Sequence, residues 1–303
     1  MKKIDAHLHV ADIIAGYCRR GELRAIGNGK AMWGNSEVFD LLPKGYGDKN
    51  FTVESALQIM DRNEVEKAVL MQGSMYGFQN QYHIDIMNRY PERFCPSCTV
   101  DPFMTNHFDT LSSYLKDKKF HLVKFEISSG GGLMGCHDPF PLVTDRMMKI
   151  YDLIEKNEGV LAMDVGDVFM PSHQPGNLAK IADTFPGLKL VVCHLLAPNR
   201  DRENELWESL TLLKKENVWF DLAALPKIMA PDVYPYPDVK RVIKRAKDIV
   251  GVKRLLWGTD APFAATQDTY EHLADYLEQS DMFSTQELED IYYNNAEYVY
   301  FTK

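Results

Sequence analysis

The chain has 303 residues, 45% of them hydrophobic and 25% charged, with a formal net charge of −9. This is ordinary globular composition, long enough for one large α/β domain or two smaller ones. The acidic balance argues against a nucleic-acid or anionic-membrane surface, and no run approaches the roughly 18 apolar residues of a membrane span.

Residues 3–9 read as the first strand, with His7 and His9 two apart and therefore on one face, and Asp5 on that face as an outer partner. The positive start Met1-Lys2-Lys3 lacks the apolar core of a signal peptide, because Asp5, His7 and His9 interrupt it. Residues 11–52 form the one long irregular connection. It carries Trp33, Phe39, Leu41, Leu42 and Tyr46, too apolar for simple disorder, and is predicted to be a lid or wall over a site. Beyond it, strand-like runs at 67–72, 94–100, 121–127, 160–165, 189–194, 218–222 and 254–258 alternate with helical patterns at 53–63, 80–90, 106–118, 142–157, 176–185, 203–215, 238–249 and 266–279. A last helix at about 284–300 ends the chain. This alternation predicts a single-domain (β/α)8 TIM barrel over 1–303, with 11–52 inserted after the first strand and an extra C-terminal helix. An open doubly wound sheet is the competing architecture, but no Gly-rich phosphate loop follows the first strand. Gly130-Gly131-Gly132 has no following Lys-Ser/Thr and reads as a flexible loop.

Five cysteines (Cys18, Cys95, Cys98, Cys136 and Cys193) are odd in number and scattered, which predicts reduced thiols and a cytoplasmic location. Cys95 and Cys98 have metal-like spacing, yet in a strand i and i+3 face opposite ways, and no second pair follows.

Catalytic groups of a barrel sit at the carboxyl ends of its strands. Here the first strand ends in His7 and His9, the fourth carries Lys124 and Glu126, the fifth Asp164, the sixth ends in His194 and the eighth in Asp260. Any one of these alone could be a turn cap or a hydrogen-bonded core residue. Together they suit one divalent ion, zinc first and manganese as a harder alternative, with an open position for a water. Asp260 could bind the ion through one oxygen and take a proton with the other. His194 would serve as acid/base or electrophile, and Lys124 as counter-ion to a substrate carboxylate.

Asp5-Ala6-His7-Leu8-His9, Val192-Cys193-His194 and Trp257-Gly258-Thr259-Asp260-Ala261-Pro262 together resemble the amidohydrolase superfamily. The similar branch is amidohydrolase-2, which includes aminocarboxymuconate-semialdehyde decarboxylase, γ-resorcylate decarboxylase and several lactonases. Arg89-Tyr90-Pro91-Glu92-Arg93-Phe94, Phe185-Pro186-Gly187-Leu188-Lys189 and Asn294-Asn295-Ala296 extend the likeness across nearly the whole chain. The resemblance implies His7, His9 and Asp260 as metal ligands, His194 as the catalytic histidine, and a mononuclear site that leaves Lys124 for substrate. It departs at the fifth strand, where the family usually has a histidine and this chain has Asp164. Asp164 could ligate in its place, which would favour manganese; His137 or His173 could substitute; or the metal could be weakly held or absent. The expected reaction is metal-assisted hydrolysis of a small carboxylated lactone or amide, with Asp260 moving the proton and His194 stabilising the oxyanion. Decarboxylation of an aromatic or muconate-type acid is the alternative, and a ligand-binding barrel without turnover is a third reading. Trp33, Tyr76, Lys124 and His137 are the expected substrate contacts. A small-molecule substrate is the expected partner, and the resemblance allows a homodimer; the C-terminal aromatics Tyr292, Tyr293, Tyr298, Tyr300 and Phe301 could form an interface or could simply pack onto the barrel.

Overall fold

Short runs of Val, Ile, Leu and Phe form eight parallel strands in a computed structural model that describes residues 1–302. They are β1 (Lys3–Leu8), β6 (Val65–Leu70), β7 (Phe94–Cys98), β8 (Leu122–Glu126), β9 (Val160–Asp164), β10 (Lys189–Val192), β11 (Val218–Asp221) and β12 (Leu255–Leu256), hydrogen-bonded in that order. The ends meet past β12: the Ala6 and His9 amides donate to the Trp257 and Ala261 carbonyls, and the Asp260 amide donates to His7 O at 2.7 Å. A sheet so closed is the predicted barrel. Covered on both sides, β1 is buried at all six positions, as a parallel barrel strand must be.

Amphipathic helices return the chain between strands: α1 (Val53–Arg62), α2 (Asn80–Arg89), α3 (His107–Lys116), the short α4 (Leu133–Cys136), α5 (Asp145–Lys156), α6 (Pro175–Thr184), α7 (Glu203–Leu212), the short α8 (Leu225–Ile228), α9 (Pro237–Val250), α10 (Tyr270–Asp275) and α11 (Thr285–Glu289). Side-chain caps mark several starts. The hydroxyls of Thr52, Thr144 and Thr269 accept amides of the first turns of α1, α5 and α10, and Ser284 and Glu287 form a reciprocal capping box at α11. After α11 the chain continues in wide, π-type turns to Phe301. These turns plug the amino end of the barrel: Ala296, Val299 and Tyr300 join the interior cluster of Ile4, Val69, Leu122, Val191 and Leu256. Tyr292 and Tyr300 are thus buried against the barrel, and only Tyr298 among the C-terminal aromatics is largely exposed. Cys95 packs into that interior cluster while Cys98 packs with the outer one, the opposite facing that the strand reading required.

The 11–52 connection is not irregular. It folds into a four-stranded antiparallel sheet, β2 (Ala15–Cys18), β3 (Gly21–Gly27), β4 (Lys30–Trp33) and β5 (Val38–Asp40). Gly27-Asn28-Gly29 turns β3 into β4 with φ of 104°, 55° and 72°, a left-handed run that glycine and asparagine tolerate. Leu23, Ala31, Trp33, Leu41 and Leu42 of this segment share the outer apolar core with the barrel helices. Among the described residues no helix is long and apolar enough to cross a membrane.

Candidate active site

The carboxyl ends of the barrel strands open into a cavity of about 870 Å³, walled on one side by the inserted sheet through Cys18, Arg20, Trp33, Glu37, Phe39 and Asp40. On its floor lie His7, His9, Lys124, Glu126, Asp164, His194 and Asp260, with Tyr76 beside them. Two of these sit where the backbone leaves its strand in the left-handed region, His194 at φ 56° and Asp260 at φ 62°. Leu195, Leu196 and Ala197 continue the left-handed path. Such conformations cost non-glycine residues about 1–2 kcal/mol each, and the four consecutive ones from His194 to Ala197 lie at the mouth where the polar groups converge.

Each histidine is oriented by its Nδ1. That of His7 lies 3.0 Å from Asp221 Oδ2, that of His9 3.0 Å from the Met71 carbonyl, and that of His194 3.0 Å from the Ala223 carbonyl. Each partner is an acceptor, so each Nδ1 carries the hydrogen and each Nε2 is left for the cavity. His9 Nε2 is 2.9 Å from Asp260 Oδ1, and His7 Nε2 is 3.6 Å from the same oxygen. With its Nδ1 hydrogen engaged, His9 presents a lone pair to a carboxylate unless a positive charge, proton or metal ion, lies between them. Donor atoms of His7, His194 and Asp260 all fall within 4.8 Å of one another. Imidazoles fixed by outer hydrogen bonds beside an open carboxylate fit a divalent ion of the zinc class.

This donor set differs from the expected His7, His9, Asp164 and Asp260. Asp164 meets the cluster through His194, its Oδ2 3.7 Å from Nε2, and its Oδ1 accepts the Gly166 amide at 2.9 Å. The donor atom of His194 lies within the same 4.8 Å grouping as those of His7 and Asp260. His137 does not line the cavity; its Nε2 is 2.8 Å from Asp101 Oδ2 and its ring packs on Phe103. The Nδ1 of His173 lies 3.3 Å from the Gly166 carbonyl, also outside the cavity lining. Trp33, Tyr76 and Lys124 do line it. Asp5 touches neither imidazole ring. It accepts the His7 and Thr259 amides, the Thr259 hydroxyl and the Tyr270 hydroxyl, tying β1 to the segment that carries Asp260.

Two acidic residues had no role assigned from the sequence: Glu126 was noted at its strand end, and Asp221 was not singled out. Asp221, at the end of β11, holds the His7 ring through Oδ2 and accepts the His194 amide through Oδ1 at 2.8 Å. Burial would raise its pKa, but the hydrogen bonds from His7 and from the His194 amide, with the charge of His194, hold it well below the carboxylate range. Glu126, paired in register with Asp164, accepts the Ser74 amide. Burial first, then the charge of Asp164, push it up to about 7. Gly73 makes room for it: a Cβ there would lie 2.8 Å from Glu126 Oε2. The strand-end position was the available signal for both.

The remaining charges are balanced by these. Burial lowers the His7 pKa to about 4, so its ring is neutral at physiological pH. Burial would also lower His194, but Asp164, Asp221 and Asp260 raise it above its ordinary value. For Asp260 burial acts upward, and His9, His194 and His7 outweigh it to hold the carboxylate ionised. Burial acts against the Lys124 charge, yet Cys193, Asp164, Glu126 and Asp221 keep its pKa above the ordinary lysine value.

The sequence profile of the amidohydrolase family matches residues 4–302. A protein described as a probable 2-pyrone-4,6-dicarboxylic acid hydrolase from Acinetobacter baumannii, solved with citric acid bound, aligns over 100% of both chains at 19% identity and a TM-score of 0.69. An amidohydrolase from Burkholderia multivorans with bound zinc aligns over 100% of both chains at 13% identity and a TM-score of 0.75. The 2,6-dihydroxybenzoate decarboxylase from Rhizobium shares 15% identity over 82% of this chain and 88% of its own, with a TM-score of 0.58. At such identities the likeness is one of fold. No curated protein shows a significant match to the sequence.

Proposed function

The chain belongs to the amidohydrolase family, and on that premise we propose that it is a metal-dependent hydrolase opening a small carboxylated lactone or amide. The observation that carries this reading is the convergence of His7, His194 and Asp260 within 4.8 Å, with His9 Nε2 2.9 Å from Asp260. His7, His194 and Asp260 would hold the ion, and the nitrogen–oxygen donor set favours zinc, with manganese the harder alternative. Bound there, such an ion supplies Lewis acidity, polarising a carbonyl and lowering the pKa of a water.

The chain's own residues supply the proton chemistry. Asp260, held ionised by three histidines, can accept a proton from the nucleophile. Glu126 keeps its proton to about pH 7 and lines the same cavity, so it can give that proton to the leaving oxygen or nitrogen. Lys124 stays charged and offsets the carboxylates of Asp164 and Asp221. Phe39 and Trp33, from the inserted sheet, wall the cavity against bulk water.

Elemental analysis of purified wild type and His7→Ala is the first test, with stoichiometric metal expected in the former and lost in the latter. A panel of carboxylated lactones and amides should then show ring opening or amide cleavage without CO2 release. Absence of metal under every loading condition would sink the metal-dependent mechanism. Release of CO2 from a carboxylated aromatic, with no lactone opened, would transfer the site to decarboxylation.

A further inference from the structure

The cations that line the cavity differ in the company they keep. Arg20 Nη1 donates to both oxygens of Glu37 at 3.0 Å. Lys124 forms no ion pair among the described residues, but Asp164 and Asp221 both act on its charge through space. His194 faces Asp164, Asp221 and Asp260. Lys227, on α8 after the seventh barrel strand, has the fewest anions acting on it. Its Nζ donates to Thr266 Oγ1 at 3.2 Å, and among the described residues no carboxylate lies within ion-pair distance of it. Asp260 is the one anion acting on it through space, and half-burial depresses its pKa. A half-buried ammonium with one neutral partner keeps hydrogen-bonding capacity to spare, since the group has three donors.

The surface beside Lys227 is aromatic. Its Nζ stands 4.1 Å from the centroid of the Phe263 ring. Phe263 meets Phe39 edge-on at 6.0 Å, and Phe39 stacks with Trp33 at 6.1 Å and 17°. All three rings line the cavity, and they join the inserted sheet to the loop after the eighth strand. A flat unsaturated ring packs well on such a wall, and a carboxylate on its edge would reach the ammonium.

We infer that Lys227 anchors a substrate carboxylate, and that Trp33, Phe39 and Phe263 seat the unsaturated ring that bears it. This rests on the hydrolase reading and narrows it: the substrate is a carboxylated, planar cyclic ester or amide, with Lys227 rather than Lys124 as its counter-ion. The role expected for Lys124 passes to Lys227 in this proposal, because Lys227 stands against the aromatic wall that would seat the ring.

Binding tests this without turnover. Benzoate, a planar ring with one carboxylate, is titrated calorimetrically into wild type, Lys227→Met and Lys227→Gln, with benzamide and cyclohexanecarboxylate as controls. Thermal unfolding of each ligand-free variant confirms that it is folded; Lys227→Gln keeps a donor for Thr266 without the charge. Wild type is expected to bind benzoate, and both variants to bind it about 10-fold more weakly or worse, the loss of one charge-assisted hydrogen bond. Lys227→Arg should restore most of the affinity, and benzamide should bind wild type as weakly as benzoate binds Lys227→Met. Equal benzoate affinity in wild type and Lys227→Met overturns the anchor, as does failure of wild type to bind benzoate. Equal affinity for cyclohexanecarboxylate overturns the role of the aromatic wall. A lactone panel with no turnover would remove the hydrolase reading while leaving the titration intact, so the two failures are separable.

Discussion

Tyr76 is only 3% exposed, yet its phenolic oxygen has no hydrogen-bond partner of ordinary length and angle, the Phe263 amide alone reaching toward it. The ring stacks on His9 at 4.6 Å, so the hydroxyl is held in the cavity wall close to Asp260. Leaving a buried hydroxyl unpaired costs roughly 1–3 kcal/mol, and burial together with Asp260 keeps its proton in place well beyond the ordinary tyrosine range. A donor so placed suits a substrate oxygen. Tyr76→Phe should therefore hold or gain folding stability, by up to about 1 kcal/mol in urea unfolding, while lowering kcat/KM by about 10-fold. A loss of stability would mean that the hydroxyl has an internal partner after all. Asp221 is the opposite case, a residue whose capacity is fully used within the protein. Asp221→Asn weakens the acceptor that sets the His7 tautomer, and zinc affinity measured by chelator competition should fall about 10-fold or more. The sequence pointed to His7, His9, His194 and Asp260 because imidazoles and carboxylates after apolar strands are conspicuous. Asp221 obeys the same rule, but behind Val218-Trp219-Phe220 a single aspartate reads equally well as a turn cap. Asp164 was legible as a member of the pocket and illegible as a partner of His194, because the facing of neighbouring strand ends depends on backbone turns such as the left-handed run from His194 to Ala197. That run contains no glycine to announce it.

At the level of elements, α2 is locked to the barrel by a buried polar network. His83 Nδ1 lies 2.7 Å from the Ser97 carbonyl, the Gln72 amide nitrogen donates to Ser97 O and Asn80 Oδ1, and Asn80 and Thr99 exchange two hydrogen bonds of 2.9 Å. Burial lowers the His83 pKa to about 4 from an ordinary 6.5, against a smaller opposing contribution from Ser97. Below pH 6.5 the unfolded chain gains a proton at His83 that the folded chain refuses until about pH 4, so stability must fall as pH drops through that interval. The loss from this one group is on the order of 3 kcal/mol at most. His7, shifted in the same sense, adds to the slope of the wild type, so the informative quantity is a difference. His83→Gln should show a flatter fall in urea midpoint between pH 6.5 and pH 4 than wild type; parallel curves would remove His83 as a cause. Elements were the most legible scale. Each barrel strand and most helices lie within a few residues of where the hydrophobic period placed them, because burial of an entire strand or one helix face is written directly into composition. The inserted segment was misread as irregular. Gly27-Asn28-Gly29 between two alternating runs carried a hairpin signal, but strands of four residues or fewer, apart from β3, offer too short a period to count.

Across the whole molecule the two poles of the barrel do different work. At the carboxyl pole the strand ends are polar, strained and open to a cavity; at the amino pole the π-type turns after α11 drive Ala296, Val299 and Tyr300 into the strands' interior cluster. Conserving a fold requires the second pole to be packed, and chemistry requires the first to be incompletely satisfied. Tyr300 separates these demands. It is 2% exposed, its hydroxyl has no partner, and it shares the barrel interior with Cys95, Cys193 and Trp219. Removing the ring leaves a cavity at the barrel floor, whereas removing the hydroxyl alone leaves the packing intact. Tyr300→Ala is accordingly expected to lower unfolding free energy by about 3–5 kcal/mol, and Tyr300→Phe to stay within about 0.5 kcal/mol of wild type or above it. Zinc affinity, measured under conditions where Tyr300→Ala remains folded, should be unchanged, since the proposed ligands His7, His194 and Asp260 stand at the other end of the strands. A Tyr300→Ala protein that keeps its stability would show that the C-terminal turns rest on the barrel without sealing it. A folded Tyr300→Ala that loses zinc would show that the two poles are coupled through the strands, against the division argued from their packing.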